Sequence, residues 1–497
     1  MEIPSLREIV SVVRNSLSGR RYWAMFSANL SAVVGGRLLA LVTLPVWTHY
    51  LAPSDFGIVT SLKAYTNLLV TFTGLGMSAV ILRLGVELRQ TIEEVAALRS
   101  TVIVVVVGAG GFLVLYGLLF GKASWNSLTS GSIPYSPYVL SMLLLVVAVN
   151  IHDVSLGALR AEERHGQVSW LMFLRSCLEA GTGVILVLSL GFGAFGLWTG
   201  YVIAASVATA MAFRSSFAGT KLIVPTRKEL SGSLRLGVPF MVQAMASMVM
   251  FASDRIMVES IRGLREAGIY GLAAGLAIAL HMVFVTGSNV YSPKYYRLRE
   301  NVEKNGSALE QFTDLWILLA SCCVIMATIL GPSIARLIVD ERYHEGLVSM
   351  STLVVAIYFV TLYQFAVRRL LFFKQSGRIA FCATLAAISN VVFNLIFIPR
   401  MGGHGAALAT VASCAIMLLV SGFVSDIVVS RIILRRGAVV LCCVAFSGLG
   451  IWVESVRLLQ PIQVLVTSAV VIAAFIVIAI ITLPCCRDHI TNWRNQA

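Results

Sequence analysis

Residues 101–121 read TVIVVVVGAGGFLVLYGLLFG, a run without one charged side chain. A helix needs roughly 20 mostly apolar residues to cross a hydrocarbon core about 30 Å thick, and this stretch supplies them. Outward from it, similar segments recur to both ends of the chain. We read fourteen spans, at 23–48, 56–82, 101–121, 137–159, 168–190, 195–213, 236–259, 268–292, 314–338, 348–372, 379–398, 403–425, 438–456 and 462–484. The segment 267–292 is the least apolar, yet it lacks Asp, Glu, Lys and Arg throughout. Composition agrees: 58% of residues are hydrophobic and 12% charged, with a mean hydropathy of +0.86. Ordinary soluble domains carry about twice that charge. The loops are too short to hold a water-soluble domain. The expected fold class is therefore an all-α polytopic membrane protein with about 14 transmembrane helices.

An even number of spans puts both termini on one side. Segments on that side hold 27 Lys and Arg residues, and those on the other side hold seven. Such a bias over short loops predicts that both termini are cytoplasmic. It also accounts for the net charge of +14. The basic residues lie in loops beside membrane helices, where they set topology and meet anionic headgroups, so nucleic acid is not an expected partner. Residues 1–21 lack the apolar core of a cleavable signal, which leaves the first span as the insertion signal.

Of nine cysteines, seven fall inside spans, and Cys485 and Cys486 lie at the cytoplasmic end of the last one. None falls in an outer loop, and their spacing fits neither a disulfide framework nor a zinc site. No metal or cofactor is expected. The chain carries no Gly-rich phosphate loop ending in Lys-Ser/Thr, no HExxH and no GxSxG. The longest outer loop, about 122–136, has only Lys122 as a charge. Transport fits these features better than catalysis, and the chain is read as no enzyme.

The sequence repeats weakly at an offset near 211. Asp55-Phe56-Gly57-Ile58 matches Glu266-Ala267-Gly268-Ile269, Arg83 matches Lys294, and Gly166 matches Gly377. The offset then slips by two, pairing Gly193 and Gly196 with Gly402 and Gly405. Six spans per copy is an even number, so the copies insert in one orientation as a parallel repeat. The expected domains are an N-terminal six-helix bundle at 1–225, a C-terminal six-helix bundle at 226–430, and two C-terminal helices with a cytoplasmic tail at 431–497. An internal duplication makes a dimer unnecessary, so a monomer is expected.

These anchors also carry a resemblance. The run Gly36-Arg37-Leu38-Leu39, then Leu44-Pro45, then Tyr50-Leu51-Ala52-Pro53-Ser54-Asp55-Phe56-Gly57 resembles the opening of polysaccharide transporters. These are the Wzx-type flippases of the multidrug/oligosaccharidyl-lipid/polysaccharide (MOP) exporter superfamily. Leu236-Gly237-Val238-Pro239, Ser253-Asp254-Arg255-Ile256-Met257-Val258 and Ala267-Gly268-Ile269-Tyr270 continue it. So does Ile398-Pro399-Arg400-Met401-Gly402-Gly403-His404-Gly405-Ala406-Ala407-Leu408-Ala409-Thr410. The resemblance covers about residues 20–485. It implies translocation of an undecaprenyl-pyrophosphate-linked oligosaccharide across the bacterial cytoplasmic (inner) membrane, for O-antigen, capsule or exopolysaccharide. The implied partners are that lipid-linked oligosaccharide, membrane lipids, and the polymerase and chain-length machinery of the same pathway.

Moving a hydrated anionic head through oil needs a polar cavity with positive charge. Ionisable groups at membrane depth default to functional candidates. Arg37 lies 16 residues past Arg21 and 18 before Asp55, far from either interface at 1.5 Å per residue. It is a candidate pyrophosphate ligand or, alternatively, half of a salt bridge. Arg175 and Glu179 sit four apart on one face of the fifth span, either as a self-contained pair or with Arg175 capturing the head near entry. Asp254 and Arg255 lie near the outer end of the seventh span. Asp254 is read as an ion-pair partner or a carrier of a coupling proton or sodium ion, and Arg255 as a second phosphate ligand or an interfacial anchor. Lys63 either lines the outer cavity or snorkels to the surface. His152-Asp153 and His281 are polar intrusions read as structural or proton-relaying. The candidate substrate ligands are thus Arg37, Lys63, Arg175 and Arg255, with Asp254 and Glu179 for ion pairing or coupling.

Three rivals stand beside this reading. A multidrug exporter of the same superfamily would line its cavity with acids, whereas the membrane-depth charges here are mainly basic. A lipid II flippase shares the architecture. A membrane-embedded polysaccharide polymerase would need a large outer loop.

Overall fold

The computed structural model describes residues 35–36, 39–87, 92–129, 131–221, 223–300, 302–424, 437–456 and 470–475, with backbone alone at 87, 92, 283, 286–312, 438 and 453–456 in that set. Among the described residues every long element is a helix, as backbone in lipid requires. After a helical stretch at 39–50, the chain forms α1 (Pro53–Thr73), α2 (Met77–Glu87), α3 (Ile92–Thr129), α4 (Leu140–Ala161), α5 (His165–Val184) and α6 (Gly193–Phe217). It continues as α7 (Arg227–Arg262), α8 (Leu264–Glu300), α9 (Val302–Ile338), α10 (Leu347–Phe372), α11 (Ser376–Val424) and α12 (Gly437–Val456).

Eight described helices are long and apolar enough to cross a membrane, or nine when α1 and α2 count as one span bent by 49°. The expected second span is therefore broken rather than straight: Leu75 and Gly76 take φ of 46° and 70° between its two parts. The expected eleventh and twelfth spans are the two limbs of α11, which meets a sharp kink at Gly402 (φ 58°, ψ −136°). That left-handed φ suits glycine. The thirteenth span is α12, and the fourteenth, apart from 470–475, lies outside the described residues.

Burial separates central from peripheral helices. The apolar window of α10 is 89% buried, whereas that of α3 is 28% buried. A helix apolar all round and enclosed is a core helix. α3 instead exposes Phe112, Leu118, Leu119 and Phe120, more large apolar surface than water tolerates. Lipid is the medium that accepts it.

The chain divides into two compact units. The smaller comprises Met1–Thr43, Thr73–Tyr116 and Ser141–Phe240; the larger comprises Leu44–Phe72, Gly117–Leu140 and Met241–Ala497. In the smaller unit, Met77, Val80, Ile81, Val102, Val106 and Val154 form one apolar cluster. In the larger, α10 contributes Tyr358, Leu362 and Ala366 to a core that also takes Ile325 from α9 and Ala406 and Cys414 from α11.

Within the larger unit the starts of α1 and α8 cross backbone to backbone. A Cβ on Gly57 would collide with the Leu264 carbonyl oxygen, and one on Gly268 with the Pro53 carbonyl oxygen. A Cβ on Gly271 would crowd the Thr60 side chain. Pro53 and Leu264, Gly57 and Gly268, and Thr60 and Gly271 are each 211 positions apart. The contact is thus self-complementary in the way a two-fold axis makes it: residue i meets the counterpart of j, and j meets the counterpart of i. Nearby, the Arg342 guanidinium donates to the carbonyls of Thr48 (3.0 Å) and His49 (2.8 Å), and the Tyr343 hydroxyl donates to the Leu51 carbonyl (3.0 Å). Asp340 accepts from Arg342 Nε at 2.7 Å. That bond holds the Asp340 carboxyl below the usual carboxylate range.

Candidate functional site

Polar side chains collect in each unit. In the larger one, Asp254 of α7 is 3% exposed. One carboxylate oxygen accepts the Arg255 backbone N–H at 2.8 Å, and the other accepts a short hydrogen bond from the Tyr270 hydroxyl of α8. The Tyr270 side chain also lies beside Thr410 of α11, whose hydroxyl donates to the Ala406 carbonyl at 3.0 Å. The Asn390 amide donates to Thr410 Oγ1 at 3.4 Å, and the Asn394 amide donates to Asn390 Oδ1 at 2.9 Å. A chain of polar groups thus runs from α7 through α8 into both limbs of α11. Asn390 and Asn394 are fully buried and Tyr270 is 1% exposed. Buried polar groups cost free energy unless they are satisfied, and this chain satisfies most of its members through one another. Two atoms at its ends, Arg255 Nε and Asn394 Oδ1, are buried without a hydrogen-bond partner among the described residues.

In the smaller unit the Arg175 guanidinium donates to the Tyr201 hydroxyl at 3.2 Å and lies 5.6 Å from the centre of that ring. Tyr201, on α6, is thus a hydrogen-bond partner of Arg175 beyond its own helix. His152 and Asp153 of α4 feel the Arg175 charge. His152 is 2% exposed, and its Nδ1 has no hydrogen-bond partner among the described residues. Arg175, Tyr201, His152 and Asp153 therefore form one polar cluster joining α4, α5 and α6.

Of the residues singled out in the sequence, Arg175 and Glu179 fall in the smaller unit, and Lys63, Asp254 and Arg255 in the larger. Lys63 is half-buried on α1. Arg37 lies outside the described residues. The sequence reading passed over Asn390 and Asn394, although two amides at helical i, i+4 spacing in an apolar span are a usable signal. It took Tyr270 and Thr410 only as parts of packing motifs.

It also passed over Glu259, which is 2% exposed. Glu259 Oε2 accepts from the Tyr65 hydroxyl at 3.1 Å, and Oε1 accepts a short bond from Ser132. Tyr65 packs edge-on against Trp125 at 4.8 Å, and the Trp125 indole donates to the Ile133 carbonyl at 2.9 Å. No cue in the local sequence joins residues 65, 132 and 259; only the fold does. Among the described residues no group of three or more His, Cys, Asp or Glu could hold a metal ion.

Residues 23–293 match the sequence profile of the family described as "Polysaccharide biosynthesis protein". The chain is 23% identical over 285 residues to the succinoglycan biosynthesis transport protein ExoT of Rhizobium meliloti (strain 1021), covering 56% of this chain and 55% of that one. It thus spans about half the length of that curated relative. Among solved structures, the lipid II flippase MurJ in an inward closed conformation superposes with a TM-score of 0.68 at 17% identity, over 86% of this chain and 97% of that one. An inward-facing multidrug resistance MATE family transporter of the MOP superfamily gives a TM-score of 0.66 at 16% identity, over 82% of this chain and 98% of that one. At such identity the likeness is one of fold, and it makes this a multi-pass membrane protein of that architecture. With the profile covering more than half its length, the chain belongs to the polysaccharide biosynthesis protein family.

Proposed function

We propose that this protein translocates undecaprenyl-pyrophosphate-linked oligosaccharide repeat units across the bacterial inner membrane by alternating access. The observation that carries the reading is family membership over 23–293, on a fold shared with MOP-superfamily transporters. The name of the relative ExoT, a succinoglycan biosynthesis transport protein, supports a saccharide cargo over a drug. Both termini lie in the cytoplasm, and the chain acts as a transporter rather than an enzyme.

The moving parts are two six-helix bundles, 1–225 and 226–430, with 431–497 as an appendage. The mutual contact of Pro53, Gly57 and Thr60 with Leu264, Gly268 and Gly271 supports a pseudo-two-fold axis along the membrane normal. Arg37, Lys63, Arg175 and Arg255 supply positive charge to the pyrophosphate. Tyr201 orients Arg175 for this task. Asp254 carries the coupling proton or sodium ion, because its chain of neutral hydroxyls and amides can rearrange around a small cation without leaving a bare charge. Glu179 balances the basic groups of the smaller unit. The oligosaccharide head crosses in a polar hollow while its lipid tail stays in the bilayer.

Deletion in the native host tests this. Lipid-linked repeat units accumulate and surface polysaccharide disappears, and the cloned gene restores it. Unchanged surface polysaccharide together with sensitivity to cationic drugs would point to the multidrug rival. Arrested cell-wall synthesis would point to lipid II.

A further inference from the structure

A second polar site lies in the larger unit, apart from the Asp254 carboxylate. A cavity of about 290 Å³ opens between the α7–α8 turn, the turn at Glu341–Gly346 and the Gly402 kink of α11. That volume is at the lower end for small-molecule sites. Two ion pairs frame it. Arg265 and Glu345 meet fork to fork at 3.1 and 3.2 Å, and Arg262 Nε donates to Glu266 at 2.9 Å. The other Glu266 oxygen accepts the Gly403 backbone N–H at 2.9 Å. Ser349, Tyr270 and His404 complete the wall. His404 Nδ1 is buried with no hydrogen-bond partner among the described residues, so the wall holds an unsatisfied polar atom. Such an atom is costly unless a ligand or water meets it.

The charge pattern selects the occupant. Two guanidiniums and two carboxylates already neutralise each other. A pyrophosphate would have to displace both carboxylates from their arginines, and a metal ion would have to displace both arginines. A neutral polyhydroxyl group needs neither. Each of its hydroxyls both donates and accepts, so it matches a rim of alternating carboxylates and guanidiniums while those pairs stay closed. The Lys and Arg bias places the turns that form the cavity on the periplasmic side.

We infer that this cavity is an exit-side saccharide subsite, which receives sugar hydroxyls of the translocated oligosaccharide while the pyrophosphate is held elsewhere. The inference rests on the transport reading above and deepens it. Glu345 and Arg265 bind hydroxyls at the rim, and His404 Nδ1 takes one at the wall.

The test uses the purified full chain in detergent and two probes. One is the oligosaccharide released by mild acid from the host's lipid-linked intermediates, and the other is inorganic pyrophosphate. Binding is followed by calorimetry. Glu345→Gln and His404→Phe are each expected to weaken oligosaccharide binding about tenfold, the loss of one or two good hydrogen bonds. Pyrophosphate is expected not to compete. Glu345 has a side chain 63% exposed, so its substitution leaves the fold intact, which a thermal melt verifies. Unchanged affinity in both variants overturns the subsite. So does displacement of the oligosaccharide by pyrophosphate, or by phosphatidylethanolamine added to the micelles, which would mark a lipid-headgroup site. Absence of binding by the parent chain overturns it as well. The transport reading is judged separately by the deletion phenotype. Export that survives normally in a chain whose variants bind as the parent does removes the subsite alone.

Discussion

The two polar clusters solve opposite problems. In the smaller unit a guanidinium, Arg175, rests on a tyrosine whose hydroxyl and ring face are both neutral. Its charge also acts on the Asp153 carboxyl of α4. In the larger unit a carboxylate, Asp254, is enclosed by hydrogen-bond donors and continued into buried amides. On the proposed reading, one cluster presents positive charge to an anion, and the other holds a carboxylate inside a network of neutral hydroxyls and amides. A transporter that couples an anionic head to a cation needs both.

The substitution expected to do most is Asp254→Ala. It leaves the Tyr270 hydroxyl without its acceptor and, on the proposed reading, removes the coupling group, so export should fall by about 100-fold or more, the scale of roughly 3 kcal/mol. Surface polysaccharide per unit of membrane-inserted protein measures it. Export near the parental level would make the Asp254 network purely structural.

Arg175→Ala should lower export by about tenfold at unchanged membrane abundance, and Arg175→Lys should recover only part, since an ammonium cannot reproduce the planar fork over Tyr201. Full activity in the alanine variant would remove the contrast between the clusters. Tyr270→Phe keeps the ring and removes the hydroxyl between Asp254 and Thr410. A decline of about threefold to tenfold in export is expected, in line with one lost hydrogen bond to a charged group.

Stability sharpens the comparison of the halves. Gly57→Ala and Gly268→Ala each drive a methyl group into the opposing backbone. Each should cost about 1–3 kcal/mol, and by similar amounts, because the contact is reciprocal. Melting in detergent reads this, and a large asymmetry would argue against the pseudo-axis.

The smallest effect belongs to the turn between α9 and α10. Asp340→Asn breaks a partly exposed pair with Arg342 and should cost less than about 1 kcal/mol. The Asp340 carboxyl is held below its ordinary range. Its contribution is therefore present above the unfolded carboxylate value and lost as pH falls through the lower folded value. Parent and variant melting temperatures should converge in acid.

The membrane fold was legible because lipid forces long apolar helices, and runs such as 101–121 admit no other reading. The segments Asp55–Ile58 and Glu266–Ile269, paired in the sequence by an offset of 211, lie against each other in the structure. The break at Leu75 was not, because mean hydropathy is blind to a single residue of positive φ. Asp254 and Arg175 were found as charges out of place. Their partners, Tyr270, Thr410, Asn390 and Tyr201, were not, because hydroxyls and amides hide in apolar windows and acquire meaning only through neighbours distant in sequence. Glu259 was missed because it ends a span, where an acid looks like an ordinary interfacial residue.

The most direct measurement of the central claim is the sidedness of lipid-linked repeat units in membranes of cells depleted of this protein. A membrane-impermeant lectin added to right-side-out vesicles should find them only after permeabilisation, and re-expression should return them to the outer face. Repeat units fully accessible in intact depleted vesicles would contradict translocation by this chain.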